Sequence, residues 1–232
     1  MPVLKHTTLS VILTCMVSIT VLYGQSATLY VEHSYKKYRE MIADRPEMQM
    51  IELKRIIPTV VYDLRYATEN NFMHRLMYPA NTNTAFLRKP AAEALLKVQQ
   101  ELDKEGLGIK IFDAYRPYAV SKKFWKLVQD ERYVAHPARG SNHNRGTAVD
   151  LTLIDLKTGK ELNMGTGFDN FTDSAHHSFK HLPPEILANR NRLRMAMNRY
   201  GFTELETEWW HYTFKSPVKF DVLDIPFKKL AK

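Results

Sequence analysis

Two periodicities divide the chain into helices and strands. From Pro90 to Leu102, Leu95, Val98 and Leu102 recur at helical spacing behind an opening proline, with Gly106 just beyond, which predicts a helix. A second helix is predicted to open at Pro117, with Val120, Phe124, Leu127 and Val128 on one face. A third runs from Pro184 to Tyr200 and is closed by Gly201. Strand patterns fall at Val60 to Ala67, Gly108 to Phe112, Thr147 to Leu153 and the aromatic run Glu208 to Phe214. Ser34 to Met50 is charged and reads as a peripheral helix or loop. Asn70 to Thr84 reads as a long loop, and so does Asp155 to about His181, punctuated by Gly159, Gly165 and Gly167. Strands and helices mix without regular βαβ spacing, so the expected class is α+β, a single domain with helices beside a sheet.

The first residues follow a different rule. Lys5 precedes an apolar run from Leu9 to Tyr23, and Gly24, Gln25, Ser26 and Ala27 come after it. That charged, apolar, small-residue order is the pattern of a secretory signal, and the apolar run is shorter than the roughly 20 residues of a membrane span. We expect residues 1–26 to be a signal peptide and 27–232 the working domain, exported to the periplasm or cell envelope, without stable membrane insertion once the signal is cleaved. Cys15, the single cysteine, lies inside the apolar run, so the mature domain lacks thiols and suits an oxidising compartment.

Composition narrows the function classes. At 232 residues, 44% hydrophobic and 25% charged, the chain supports one well-filled globular domain. One cysteine excludes a disulfide framework and any multi-cysteine zinc site, so a bound metal must rest on His, Asp and Glu. The formal net charge is +8, but the basic residues are scattered. The densest group, Arg190, Arg192 and Arg194, sits in a helical pattern and lacks interleaved aromatics, so we expect no nucleic-acid partner.

Three segments carry candidate chemistry. In Ser141-Asn-His143-Asn-Arg-Gly146-Thr-Ala-Val-Asp150, a turn at Asn-Arg-Gly can fold His143 back toward Asp150 on the following strand, with small Ala148 leaving room. Imidazole and carboxylate are good zinc ligands, although the spacing alone also fits a loop histidine and a strand aspartate with no shared role. In Glu208-Trp-Trp-His211, the histidine can be a third ligand and the glutamate a general base for a water. Residues three apart on a regular strand face opposite ways, so the pair converges only across irregular backbone, such as a bulge near Trp209. Arg116, in Asp113-Ala-Tyr-Arg-Pro117, is either a solvated surface residue or a holder of oxyanion charge.

Together SNHNRGTAVDLTL, EWWHY and DAYRP resemble the zinc D-alanyl-D-alanine dipeptidases, the VanX-like branch of the zinc D,D-peptidases. MGTGFD at Met164 to Asp169, His176-His177 and NRNRLRMAMNRYGF fit the same branch, and the resemblance runs from about Val60 to Phe227. It implies an α+β fold whose central antiparallel sheet carries one zinc per chain, held by His143, Asp150 and His211. Glu208 would be the base and Arg116 the stabiliser of the transition state. Ser141 and Asp169 would lie near the free amine of a small dipeptide, with Asp113 and Tyr115 supporting Arg116 at the substrate site. The implied reaction is hydrolysis of D-Ala-D-Ala. The rival readings are a D,D-carboxypeptidase acting on longer wall stem peptides, and a non-enzymatic zinc-stabilised domain, which would need neither Glu208 nor Arg116.

Overall fold

A computed structural model describes residues 28–131 and 133–231. The expected signal peptide lies outside them. The strands are β1 (Val31–Glu32), β2 (Met50–Glu52), β3 (Val61–Tyr62), β4 (Phe86–Arg88), β5 (Leu107–Asp113), β6 (Ala148–Asp155), β7 (Phe202–Leu205), β8 (Glu208–Phe214) and β9 (Val222–Leu223). The helices are α1 (Tyr35–Asp44), α2 (Leu53–Ile56), α3 (Lys89–Leu102), α4 (Tyr118–Val128), α5 (Asn142–Arg145), α6 (Pro184–Arg199) and α7 (Phe227–Leu230).

The main sheet has the order β3-β5-β6-β8-β7. Its four longer strands are antiparallel neighbours, and β3 joins the edge in parallel to β5. Two-stranded pairs, β1 with β9 and β2 with β4, flank it. This is the α+β domain expected from the sequence.

Register sorts the side chains. Ile109 and Ile111 of β5 stand opposite Leu153 and Leu151 of β6, and Val149 opposite Tyr212 of β8, so one face of the sheet is apolar. These residues share a single core with Leu95, Val98 and Leu102 of α3 and Leu193, Ala196 and Met197 of α6. The opposite face carries Ala148, Asp150 and Thr152 on β6 and His211 and Thr213 on β8. A shift between Ile111 and Asp113 sets Asp113 opposite Asp150. Asp113, Asp150 and His211 therefore form one row across three adjacent strands.

The structure alters or sharpens the sequence reading at four places. The Val60–Ala67 pattern yields only the two-residue strand β3, then a 3₁₀ turn at Arg65–Ala67 that buries Leu64 and Tyr66 on the core side. Leu127 does not join the buried face of α4. It is 47% exposed at the penultimate position of the helix, while Val120, Ser121 and Phe124 are buried. Ser34 to Met50 resolves into α1, N-capped by the Ser34 side chain, and a 3₁₀ turn. Finally, Phe202–Leu205 is a strand, too short and too close to Gly201 to show a period of its own.

Arg190, from the basic group on α6, has a structural role. It is buried, and its guanidinium donates to the carbonyls of Met164 (2.7 Å), Ser174 (2.9 Å) and His176 (3.3 Å). It fastens the long 155–181 segment to α6. Among the described residues, no helix is long and apolar enough to cross a membrane.

Candidate active site

The loop before β6 is built to aim His143. Ser141 caps α5: its hydroxyl accepts from the Asn144 N–H (3.2 Å) while the Asn144 side chain accepts from the Ser141 N–H (2.9 Å). Gly146 ends the turn at φ +70°, and a Cβ there would come within 2.7 Å of the Met50 side chain. The Asn144 side chain also donates to the Arg116 carbonyl and to the Ser121 hydroxyl, both at 2.8 Å, tying α5 to α4 and to the Arg116 backbone.

His143 Nδ1 lies 2.7 Å from the Ala114 carbonyl, which can only accept, so Nδ1 carries the proton. The Nε2 lone pair then faces Asp150 Oδ2 at 3.5 Å. His211 Nδ1 lies 2.9 Å from Asp150 Oδ1, and its Nε2 is 3.2 Å from the Thr213 hydroxyl. One donor atom from each of His143, Asp150 and His211 falls within 4.8 Å of the others. Burial, reinforced by the Arg116 charge on His143, holds both imidazoles below their ordinary 6.5 and so neutral. Two neutral imidazoles and a carboxylate, each ring braced on its far nitrogen, fit zinc in the three-ligand mode of catalytic sites.

The strand irregularity that the Glu208–His211 spacing requires is present. On β7, Glu204 pairs with Tyr212 and the very next residue, Leu205, pairs with Glu208, so Trp209, Trp210 and His211 bulge out of that ladder. On the other edge of β8, His211, Tyr212 and Thr213 pair in regular register with Asp150, Val149 and Ala148. Glu208 Oε2 consequently comes to 4.0 Å from His211 Nδ1. Burial pushes the Glu208 carboxyl up to about 7. Trp210 packs against Phe168 (ring centroids 5.6 Å), and the Trp209 indole donates to the Thr166 hydroxyl (2.8 Å).

Arg116 lines the same cavity as Glu208 and the three donors. Its Nε and Nη2 donate to Asp113 Oδ2 at 3.0 and 2.7 Å, and its guanidinium lies over the rings of Tyr66 (5.0 Å) and Phe124 (4.8 Å). Asp113, buried behind it, also accepts from the Tyr78 hydroxyl at Oδ1. Asp113 thus braces Arg116 and does not line the cavity. Tyr115, 1% exposed, points the other way: its hydroxyl donates to the Ile225 carbonyl and accepts from the Ile225 N–H, each at 2.9 Å. The structure therefore corrects the expectation of a substrate-side Tyr115, because the residue after it must turn inward toward Asp113.

Asp169 sits at one end of the cavity in the left-handed region, φ +59°. Oδ1 accepts from the Tyr66 hydroxyl (3.2 Å), whereas Oδ2 is buried with no hydrogen-bond partner. Burial, with the nearby charge of Asp150, pushes its carboxyl well above the ordinary range. Ser141 lines the cavity too, although its hydroxyl already serves as the helix cap. Tyr66, Tyr78 and Asn144 escaped the sequence reading. Each acts by holding another site residue, and no spacing rule marks such contacts.

A sheet and its adjoining turn that together present two histidines, an aspartate and a convergent glutamate in one cavity are the arrangement of a zinc metallopeptidase. The chain belongs to the peptidase M15 family, D-Ala-D-Ala dipeptidase, whose model matches residues 46–224. It is 34% identical over 175 residues to the D-alanyl-D-alanine dipeptidase of Escherichia coli K12, covering 75% of this chain and 89% of that protein. It is 31% identical over 195 residues to the D-alanyl-D-alanine dipeptidase of Enterococcus faecium, covering 76% and 96%. A solved vancomycin resistance D,D-dipeptidase, VanXYg, in complex with a D-Ala-D-Ala phosphinate analog, is similar at 18% identity and a TM-score of 0.35 over 71% of this chain and 66% of that one.

Proposed function

We propose that this chain hydrolyses the D-alanyl-D-alanine dipeptide to two D-alanines, using one zinc ion held by His143, Asp150 and His211. The observation that carries the reading is the β8 bulge, which sets the Glu208 carboxylate 4.0 Å from a donor histidine on its own strand. Zinc in this donor set supplies a Lewis acid that acidifies a water and draws charge from a carbonyl.

The chain's own groups do the rest. Glu208 takes a proton from the attacking water at Oε2 and returns it to the leaving amine as the peptide bond breaks. A carboxyl held near neutrality suits both halves of that transfer. Arg116, oriented by Asp113, offers its remaining N–H groups to the carbonyl oxygen as negative charge develops. Asp169 Oδ2, buried without a partner, receives the free ammonium of the substrate and thereby sets where the peptide must begin. Ser141 borders the same space, and Tyr66 keeps Asp169 in place.

We also read the amino-terminal charged, apolar, small-residue order as export to the cell envelope. The test is to offer the zinc-loaded protein D-Ala-D-Ala and a pentapeptide ending in D-Ala-D-Ala, and to measure D-alanine release. Preference for the dipeptide is expected. Equal or faster release from the pentapeptide would replace this reading with a D,D-carboxypeptidase.

A further inference from the structure

Two alanines do not fill the cavity. Its volume is about 410 Å³, within the range of roughly 300–1,000 Å³ that takes drug-sized ligands, and dialanine is far smaller than those. The surplus space is not chemically uniform. Toward β7 and β8 the lining is mixed, with Asn142, Thr203, Glu204 and Thr213 beside Leu205 and Trp210. Toward Asp169 it is aromatic.

Four rings from four separate segments make that aromatic end. Phe72 stacks on Phe124 at 5.8 Å with 14° between planes, and meets Phe171 edge-on at 5.2 Å. Tyr133 closes on Phe171 at 4.6 Å. All four line the cavity. Tyr66 joins this group to the amine end, because its ring contacts Phe72 (6.4 Å) while its hydroxyl reaches Asp169. Glu131, at the same rim, is engaged by Arg139.

We propose that this shelf is a side-chain subsite for the amino-terminal residue, and that the enzyme accepts dipeptides whose first residue is large and apolar, aromatic ones foremost. The inference rests on the dipeptidase reading and on Asp169 as the ammonium holder. With the ammonium at Asp169, the first side chain lies beside Tyr66 and Phe72. A methyl group leaves the ring faces of Phe72 and Phe171 wet. A benzyl group covers them in the offset or edge-on geometry that aromatic pairs favour.

The test compares D-Ala-D-Ala, D-Phe-D-Ala and D-Ala-D-Phe on the zinc-loaded full chain. We expect kcat/KM for D-Phe-D-Ala to match or exceed that for D-Ala-D-Ala, and D-Ala-D-Phe, with its bulk away from the four rings, to be poorer by about tenfold or more. Phe171→Ala is expected to lower the ratio of D-Phe-D-Ala to D-Ala-D-Ala by at least about tenfold, chiefly through KM. Phe72→Leu should move the same ratio in the same direction. Because each ratio is internal to one preparation, partial misfolding cancels. A ratio unmoved in both variants, or equal use of D-Ala-D-Phe, overturns the subsite. Turnover of D-Ala-D-Ala with D-Phe-D-Ala refused overturns it alone. Loss of D-Ala-D-Ala turnover in the unmutated protein overturns the dipeptidase reading with it.

Discussion

Glu208 and His211 lie three residues apart on one strand, yet their side chains end 4.0 Å from each other on the same side of the sheet. The three-residue bulge against β7 allows this, while the pairing of His211, Tyr212 and Thr213 with β6 keeps His211 opposite Asp150. The strand serves two masters, one along each edge.

Glu208→Gln preserves shape and removes the basic carboxylate. Zinc content should be retained, while kcat for D-Ala-D-Ala falls by about 10²–10⁴, the usual size of a general-base contribution. Metal analysis alongside steady-state kinetics separates the two. Near-normal turnover would remove Glu208 from its role.

His143→Ala, Asp150→Ala and His211→Ala should each strip zinc under dialysis that leaves the unmutated protein loaded. Thr213→Val, which loses only the hydroxyl bracing His211 Nε2, should weaken zinc affinity by about 10–100-fold. Competition with a chromophoric chelator reads both effects, and full occupancy in His211→Ala would reject that ligand.

Asp169→Asn tests the amine end. Removing one partner of a desolvated charge pair costs about 2–5 kcal/mol, which is roughly 30- to several-thousand-fold in kcat/KM. The loss should fall on the free dipeptide and narrow its advantage over N-acetyl-D-Ala-D-Ala. An unmutated enzyme that uses both substrates equally would contradict the assignment.

His177 gives a prediction about acid stability away from the metal donors. It is buried against the Tyr212 ring, and its Nε2 has no hydrogen-bond partner. Burial holds its pKa below 6.5, despite Glu204 and Glu206, while Arg190 and Arg194 push the same way as burial. The unfolded chain therefore binds the proton more readily, so stability present above about pH 6.5 is lost as pH falls through that value toward the lower folded one. His177→Gln should flatten part of this loss in melting temperatures measured between about pH 7 and about pH 5. An unchanged slope would mean that the ring takes up its proton in the folded state without cost.

Arg88 is fully buried, with donors on the carbonyls of Met48, Arg145 (2.9 Å) and Asp221 (2.9 Å). Arg88→Met fills much of the volume but orphans those carbonyls, at about 1–3 kcal/mol for each one left without water. Chemical denaturation should show a loss of at least about 2 kcal/mol. A loss below that would indicate that water replaces the guanidinium.

The sequence revealed most where chemistry and local pattern coincide. The spacing around His143 and Asp150, the Glu208–His211 pair and the helices opened by Pro90, Pro117 and Pro184 are all readable, because each depends on neighbours in the chain. What stayed hidden depends on distant contacts. Tyr66 looked like a strand residue until its burial against Phe124 and Phe168 pulled the chain into a turn. The clamp made by Arg190 was not legible because its acceptors are carbonyls 14 to 26 residues away. Tyr115 and Arg116 sit side by side in sequence yet point to opposite sides of the fold, a division no motif expresses.

The proposed metal donors and the proposed amine holder do not share one mechanical support. His211 and Asp150 ride on paired strands, and His143 on the capped turn that opens β6. Asp169 hangs on the long segment that Arg190 clamps at Met164, Ser174 and His176. Substitutions beneath that clamp can therefore shift which peptides are admitted while the zinc centre keeps its shape. A chain built this way can change its diet without rebuilding its engine.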